Sequence, residues 1–310
     1  FTTADFRGAN IDGWNADMQT LFFEGDFGEL FPNLDPEDVG ANDIGFSFGR
    51  MPLSAQQGLL IAEDRIDAVT ATRNTIVTER NLNLRVSGVY AWDQLNRNSA
   101  TVAGNRLDSS SEMVAILTES DFQRATVNLD AAYISSEDDE IGNVIAFGVS
   151  AIQRINLLHN TYNSSLHLLA SYPTDNRTNY ADQGELLFSR ISWTPHHTED
   201  LIYLNSFWAI DQFTSPTRGP LSGGALGQTG VLFSAPGLGR AGAPIGVRTD
   251  NRAGASLGYQ MFYDHTARQV IFEIGGHKEP KGDSSGALGA AIRYQAAVNQ
   301  HVVMVFDTYV

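Results

Sequence analysis

The 310-residue sequence contains no cysteine. Disulfide cross-links, thiolate catalysis and cysteine-held zinc or iron–sulfur centres are thereby excluded. Lysine is nearly absent too: of 20 basic residues only Lys278 and Lys281 are lysines, against 36 Asp and Glu, for a net charge of −16. Phosphate binding needs a positive surface, so no nucleic-acid partner is expected. No stretch approaches the roughly 20 consecutive apolar residues of a membrane-crossing helix, which excludes a helical membrane protein. Charged residues are 18% of the chain, below the roughly 25% of a typical soluble domain, while hydrophobic residues are 42%.

What is present is alternation. In LNLRVSGVYAWD (82–93), Leu82, Leu84, Val86, Tyr90 and Trp92 oppose Asn83, Arg85, Ser87 and Asp93. Leu129 and Tyr133 oppose Asn128 and Asp130, Leu166 and Leu168 oppose Ser165 and His167, and Phe272 and Ile274 oppose Glu273 and His277. A period of 2 means strands with two different faces. About fourteen such segments run along residues 1–310, near 17–25, 44–53, 65–75, 82–94, 112–120, 125–136, 142–155, 162–172, 185–195, 201–213, 254–265, 268–278, 285–298 and 301–310. Their length exceeds the usual ~5–6 residues of globular strands and suits the ~9–11 that cross a bilayer at a tilt. Tyr90, Trp92, Tyr133, Tyr172, Trp193, Trp208, Tyr259 and Tyr263 sit near strand ends, where interfacial aromatic girdles lie. The expected fold is all-β: a single antiparallel transmembrane β-barrel domain. A soluble extracellular all-β binding protein also alternates, but its polar face is expected to carry many Lys and Glu; here that face reads as Ser, Asn, Gln, Gly and Thr with scattered Arg and Asp.

Connection lengths also alternate. The gaps around 121–124, 265–267 and 299–300 are short, and those at 54–64, 95–111, 173–184 and 214–253 are long. Outer-membrane barrels place short turns in the periplasm and long loops outside. The segment 26–43 is the exception, read as a periplasmic helical turn. By this parity the last strand ends outside, which leads us to expect a further strand beyond Val310 and about sixteen strands in the intact barrel.

GLGRAG (237–242) spells G-x-G-x-x-G, but it has neither the preceding strand nor the following helix that dinucleotide binding requires. It belongs to the Gly/Pro-rich loop 214–253, whose apolar Val231, Leu232 and Phe233 are expected to fold into the barrel mouth as a constriction. Neighbouring His196 and His197 lack a third ligand, and the run 137–140 reads as a solubilising outside turn, so neither metal nor cofactor is expected. G-x-S-x-G is absent, and no enzyme is expected. Alternation places Arg50, Arg85, Arg190 and Arg293 inward, with Arg73, opposed by Asp93, Asp130, Asp211 and Glu273. Charges confined in a lumen either pair as struts or line a water path and bias ion passage.

Within 44–75, Gly49, Arg50, Pro52, Ser54, Gly58, Asp64 and Asp67 resemble, in order, the strand–loop–strand signature of outer-membrane porin-like barrels of the alginate-export type. The resemblance implies a barrel of roughly sixteen to eighteen strands with a charged lumen. The resulting expectation is a bacterial outer-membrane porin for passive diffusion or export of hydrophilic solutes, including anionic sugars or polysaccharide. Its partners would be outer-membrane lipid and lipopolysaccharide, the solute, and a partner protein or second copy. The alternative is a plugged structural barrel acting as a sleeve for a partner protein.

Overall fold

The computed structural model describes residues 18–31, 33, 44–99, 105–157, 160–177, 179–219, 223–234, 244–280 and 286–310. The GLGRAG motif, Lys281 and most of 26–43 lie outside these residues. A single sheet of 15 strands dominates. Its antiparallel path runs β1 (Leu21–Asp26), β2 (Ile44–Ala55), β3 (Ile61–Arg73), β4 (Asn83–Asp93), β7 (Ser111–Asp121), β8 (Thr126–Ser136), β9 (Val144–Leu157) and β10 (Asn160–Pro173). It continues through β11 (Gly184–Trp193), β12 (Leu201–Asp211), β14 (Ala253–Tyr263), β15 (Arg268–Lys278), β16 (Gly286–Asn299) and β17 (Val302–Tyr309). Each segment expected from alternation is one strand of this path. Among the described residues β1 and β17 are its two ends and do not pair with each other.

Three short strands sit off the path. β5 (Leu95–Asn98) and β6 (Asn105–Asp108) pair with each other, and β13 (Thr217–Arg218) runs parallel to β3. At 26–43 a single helical turn, α1 (Phe27–Leu30), follows β1, started by Asp26 accepting a bond from Gly28 N at 2.8 Å.

The outer wall is apolar and exposed: Leu129 59%, Leu168 54%, Trp208 50% and Ile274 53%. The inner wall is not the polar surface that alternation suggested. Ile134, Leu169, Leu186, Phe188 and Phe207 are buried on it. Connections from the long-loop end fold inward and cover these side chains, so a luminal position need not be a wet one. The turn after β2 reaches β8 and β10, and the chain after β12 touches β3 before packing on β12, β15 and β16. Loops that span such distant strands require the sheet to curl around them.

The 44–75 segment has a local physical account. Gly49 (φ +127) passes so close to β1 that a Cβ would lie 2.9 Å from Phe22 Cα. Pro52 occupies the bulge between Met51 and Leu53, where a missing N–H costs no ladder bond.

Candidate functional site: an inner wall engaged by loops

The first inward element is the turn after β2, a 3₁₀ turn at Gln56–Gly58. Gln56 and Gln57 both have φ +54, a left-handed conformation that non-glycine residues adopt at a cost of about 1–3 kcal/mol each. Their side chains hold them there. Gln56, 1% exposed, donates to Asp130 at 2.8 Å, and its Oε1 lies 3.1 Å from His167 Nδ1; Gln57 Oε1 lies 3.3 Å from His167 Nε2. Asp130 also accepts Thr118 N at 2.9 Å. Gly148 makes room, since a Cβ there would lie 2.6 Å from Gln56 Cγ.

The second element is the chain between β12 and β14, with 3₁₀ turns at Ala225–Gln228 and Val231–Phe233. The buried Glu273 carboxylate accepts Val231 N and Leu232 N, each at 2.8 Å, and the Tyr203 hydroxyl. Leu232 and Phe233 are fully buried, Phe233 meeting Phe207 edge-on at 5.3 Å. Asn205 Nδ2 and Ser256 Oγ both donate to Thr229 O, and Arg190 donates to Gln228 O at 3.1 Å and Oε1 at 3.2 Å.

The third element joins the loops to one another. Glu63 accepts Asn96 N and Nδ2 at 2.9 Å each and the Thr217 hydroxyl. Arg97, fully buried, donates to Gly142 O at 2.7 Å; burial pushes its guanidinium down to about 10, which leaves it charged at neutral pH. Burial likewise lowers Arg218 to about 10, and Arg218 donates to Gly223 O at 2.7 Å. Asp108 loses solvation, yet the hydroxyls of Ser111, Ser136 and Ser110 outweigh that and hold it below the usual carboxylate range. The acidic run at 137–140 is also knit in: Arg106 bridges Asp138 at 2.6 Å and Glu140 at 3.1 Å.

The charges expected in the lumen therefore divide. Asp130 and Glu273 face inward but are consumed by loops. Arg85 is inward at the turn end, paired with Glu119 at 3.3 Å, and Arg293 pairs with Asp307 at 2.7 and 2.8 Å. Asp93 is inward at the top of β4, where it accepts Gln94 N at 2.7 Å. Three residues lie elsewhere. Arg50 pairs with Asp67 at 2.7 and 2.8 Å in register between the exposed Phe48/Val69 pair and the buried Met51/Ile66 pair, which puts it on the outer face. The inward expectation for Arg50 ran against the local alternation, since Ile44, Phe46 and Phe48 lie in phase with it and face outward. Arg73 shares the outer face of Val69 and Ala71, opposite Ile44. Asp211 is exposed at the end of β12, where φ +54 turns the chain away.

Sequence reasoning missed Gln56, Glu63, Arg97 and Arg218 as loop tethers, since nothing in a loop's local pattern says which wall it will meet. Arg154 was missed as well. It shares the luminal face of Ser150, donates to Asn163 at 3.3 Å and, like Arg190, pairs with no carboxylate among the described residues. The His196 and His197 rings lie 4.1 Å apart in a turn, tilted by 57° to each other, and no group of metal-binding side chains occurs among the described residues.

This architecture has solved counterparts. The chain has the fold of an outer-membrane porin. OccK11 (OpdR) of Pseudomonas aeruginosa superposes with a TM-score of 0.57 at 11% identity, covering 86% of this chain and 71% of that one. OccK2 (OpdF) of the same organism, solved with glucuronate, gives 0.56 at 8%, covering 86% and 72%. The outer membrane protein OprD, also from that organism, gives 0.52 at 8%, covering 87% and 70%. No family model and no curated protein matches the sequence.

Proposed function

We propose that this chain forms a passive channel in the bacterial outer membrane for small hydrophilic solutes. The observation that carries the proposal is the contrast between its walls: an exposed apolar belt outside, and inside a surface whose charged groups hold the chain's own loops. A belt of this kind suits lipid, and a closed sheet is one of two ways to cross it with every backbone group paired. The folded loops would then set the passage, with the Val231–Phe233 turn as its constriction. Arg154 on β9 and Arg190 on β11, both without a carboxylate partner among the described residues, would give a preference for anions, whereas the paired Arg85 and Arg293 contribute less field.

The alginate-export resemblance of 44–75 enters this reading at the level of hairpin architecture. Loops folded across the lumen favour small solutes over a threading polymer. The sleeve reading draws on one observation, the saturation of Asp130 and Glu273 by loop donors, which leaves little free inner wall.

Planar-bilayer recording of the purified full-length protein under a salt gradient tests the proposal. Steady openings with an anion preference are expected. Protein that inserts but never conducts would favour the sleeve, and protein that stays in solution without detergent would overturn the membrane assignment.

A further inference from the structure

On the luminal face of β14 to β16, toward the short-turn end, three glutamines stand on adjacent strands. Gln260 Nε2 donates to Gln269 Oε1, and Gln269 Nε2 donates to Gln295 Oε1 at 2.8 Å. Their inward orientation follows from alternation with buried neighbours: Ser256 precedes Gln260 in phase, Ile271 and Glu273 follow Gln269, and Ala291 precedes Gln295. The exposed Leu257, Phe272 and Ile292 mark the opposite face.

The ladder uses one N–H of Gln260, one N–H of Gln269 and the carbonyls of Gln269 and Gln295. An amide offers two donors and one acceptor oxygen. Four N–H groups and the Gln260 carbonyl are therefore left toward the lumen, none of them among the buried unpaired atoms. Two further groups complete the strip. Phe262 is directly opposite Gln269 and in phase with Gln260, and the Arg293–Asp307 pair lies one luminal position from Gln295. The strip thus offers an aromatic face, a row of uncharged donors fixed relative to one another, and a neutralised ion pair.

We propose that this strip is a binding subsite for neutral polyhydroxylated solutes of sugar type. Hydroxyl arrays present several acceptors and donors at fixed spacing, which suits amides already held in line, and a pyranose offers an apolar face for Phe262. The strip's own side chains carry no net charge, and the one carboxylate bonded to its backbone, Asp200 accepting Phe262 N at 3.1 Å, adds no attraction for anions, which separates the strip from the Arg154 and Arg190 wall. The inference rests on the channel reading and is tested so that the two fail separately.

Osmotic swelling of proteoliposomes compares entry of glucose with tetraethylene glycol, an uncharged solute of similar mass without the hydroxyl array. In a Gln260→Leu/Gln269→Leu/Gln295→Leu variant the glucose-to-glycol rate ratio should fall about fivefold, the factor equivalent to one net hydrogen bond of about 1 kcal/mol. Glycol entry and the reversal potential in a salt gradient should stay at wild-type values. Gln269→Leu alone, which breaks the ladder at its centre, should give a smaller fall in the same direction and covers failure of the triple variant to assemble. An unchanged ratio, or equal slowing of both solutes, overturns the subsite while leaving the channel. A wild-type protein that passes neither salt nor solute overturns the channel reading and the subsite with it.

Discussion

Replacing Glu273 by alanine should release the Val231–Phe233 turn from the wall. Three donors converge on this carboxylate: Val231 N, Leu232 N and the Tyr203 hydroxyl. Tyr203 stands on the wall, so removing the carboxylate leaves two donors of the turn itself, Val231 N and Leu232 N, buried and unpaired, a penalty of about 1–3 kcal/mol each or about 2–6 kcal/mol together that favours release. Opposing release is the seat of Leu232 and Phe233, both fully buried, at about 1.5–3 kcal/mol each or about 3–6 kcal/mol together. The two contributions are comparable, so the single variant should populate both states. Thr229, held by Asn205 and Ser256, stays anchored and confines the motion to the residues that follow. Single-channel recording should show switching between the wild-type conductance and a larger one. Glu273→Ala/Leu232→Ala should remain mostly in the larger state, because truncating a buried leucine costs a further 2–5 kcal/mol or so. Tyr203→Phe removes one donor and should leave the wild-type level dominant. One unaltered conductance in both the single and double variants would refute the idea that this carboxylate latches the turn.

Arg190→Glu and Arg154→Glu should each shift the reversal potential toward cations, whereas Arg50→Glu, on the outer face beside Asp67, should leave it unchanged and lower thermal stability in detergent. Gly148→Ala should push Gln56 from Asp130 and cost about 1–3 kcal/mol as an overpacked site, read by thermal denaturation in detergent. Acidification should loosen the loop end. Asp108 and Asp175 are held below the ordinary carboxylate value, each against its own burial, Asp108 by serine hydroxyls and Asp175 by Arg177. Their contribution is complete above the unfolded carboxylate value and is lost as pH falls through the lowered one. Asp182, raised by burial, acts in the opposite sense, so proteolysis of 95–108 and 137–143 should rise in acid by less than two carboxylates alone would give. Asp108→Asn should flatten that rise; an identical pH profile in the variant would sink the assignment.

The strand path was legible in the sequence because alternation is a local property: each apolar residue must choose between lipid and lumen, and the choice repeats every two residues. Alternation also fixed which face Asp130, Arg190, Glu273 and Arg293 share. The inward expectation went against alternation at Arg50, in phase with Ile44, Phe46 and Phe48, and at Arg73, in phase with Val69 and Ala71, and alternation gave out at Asp211, where a positive φ ends the strand. Only the tertiary structure decided what the inward groups do. Whether a luminal carboxylate meets water, an arginine or a backbone N–H depends on loops distant in sequence, as when Gln56 reaches Asp130 across 74 residues. The same loops decide that Phe188 and Phe207 can face inward, since apolar side chains in a lumen are stable only when something covers them.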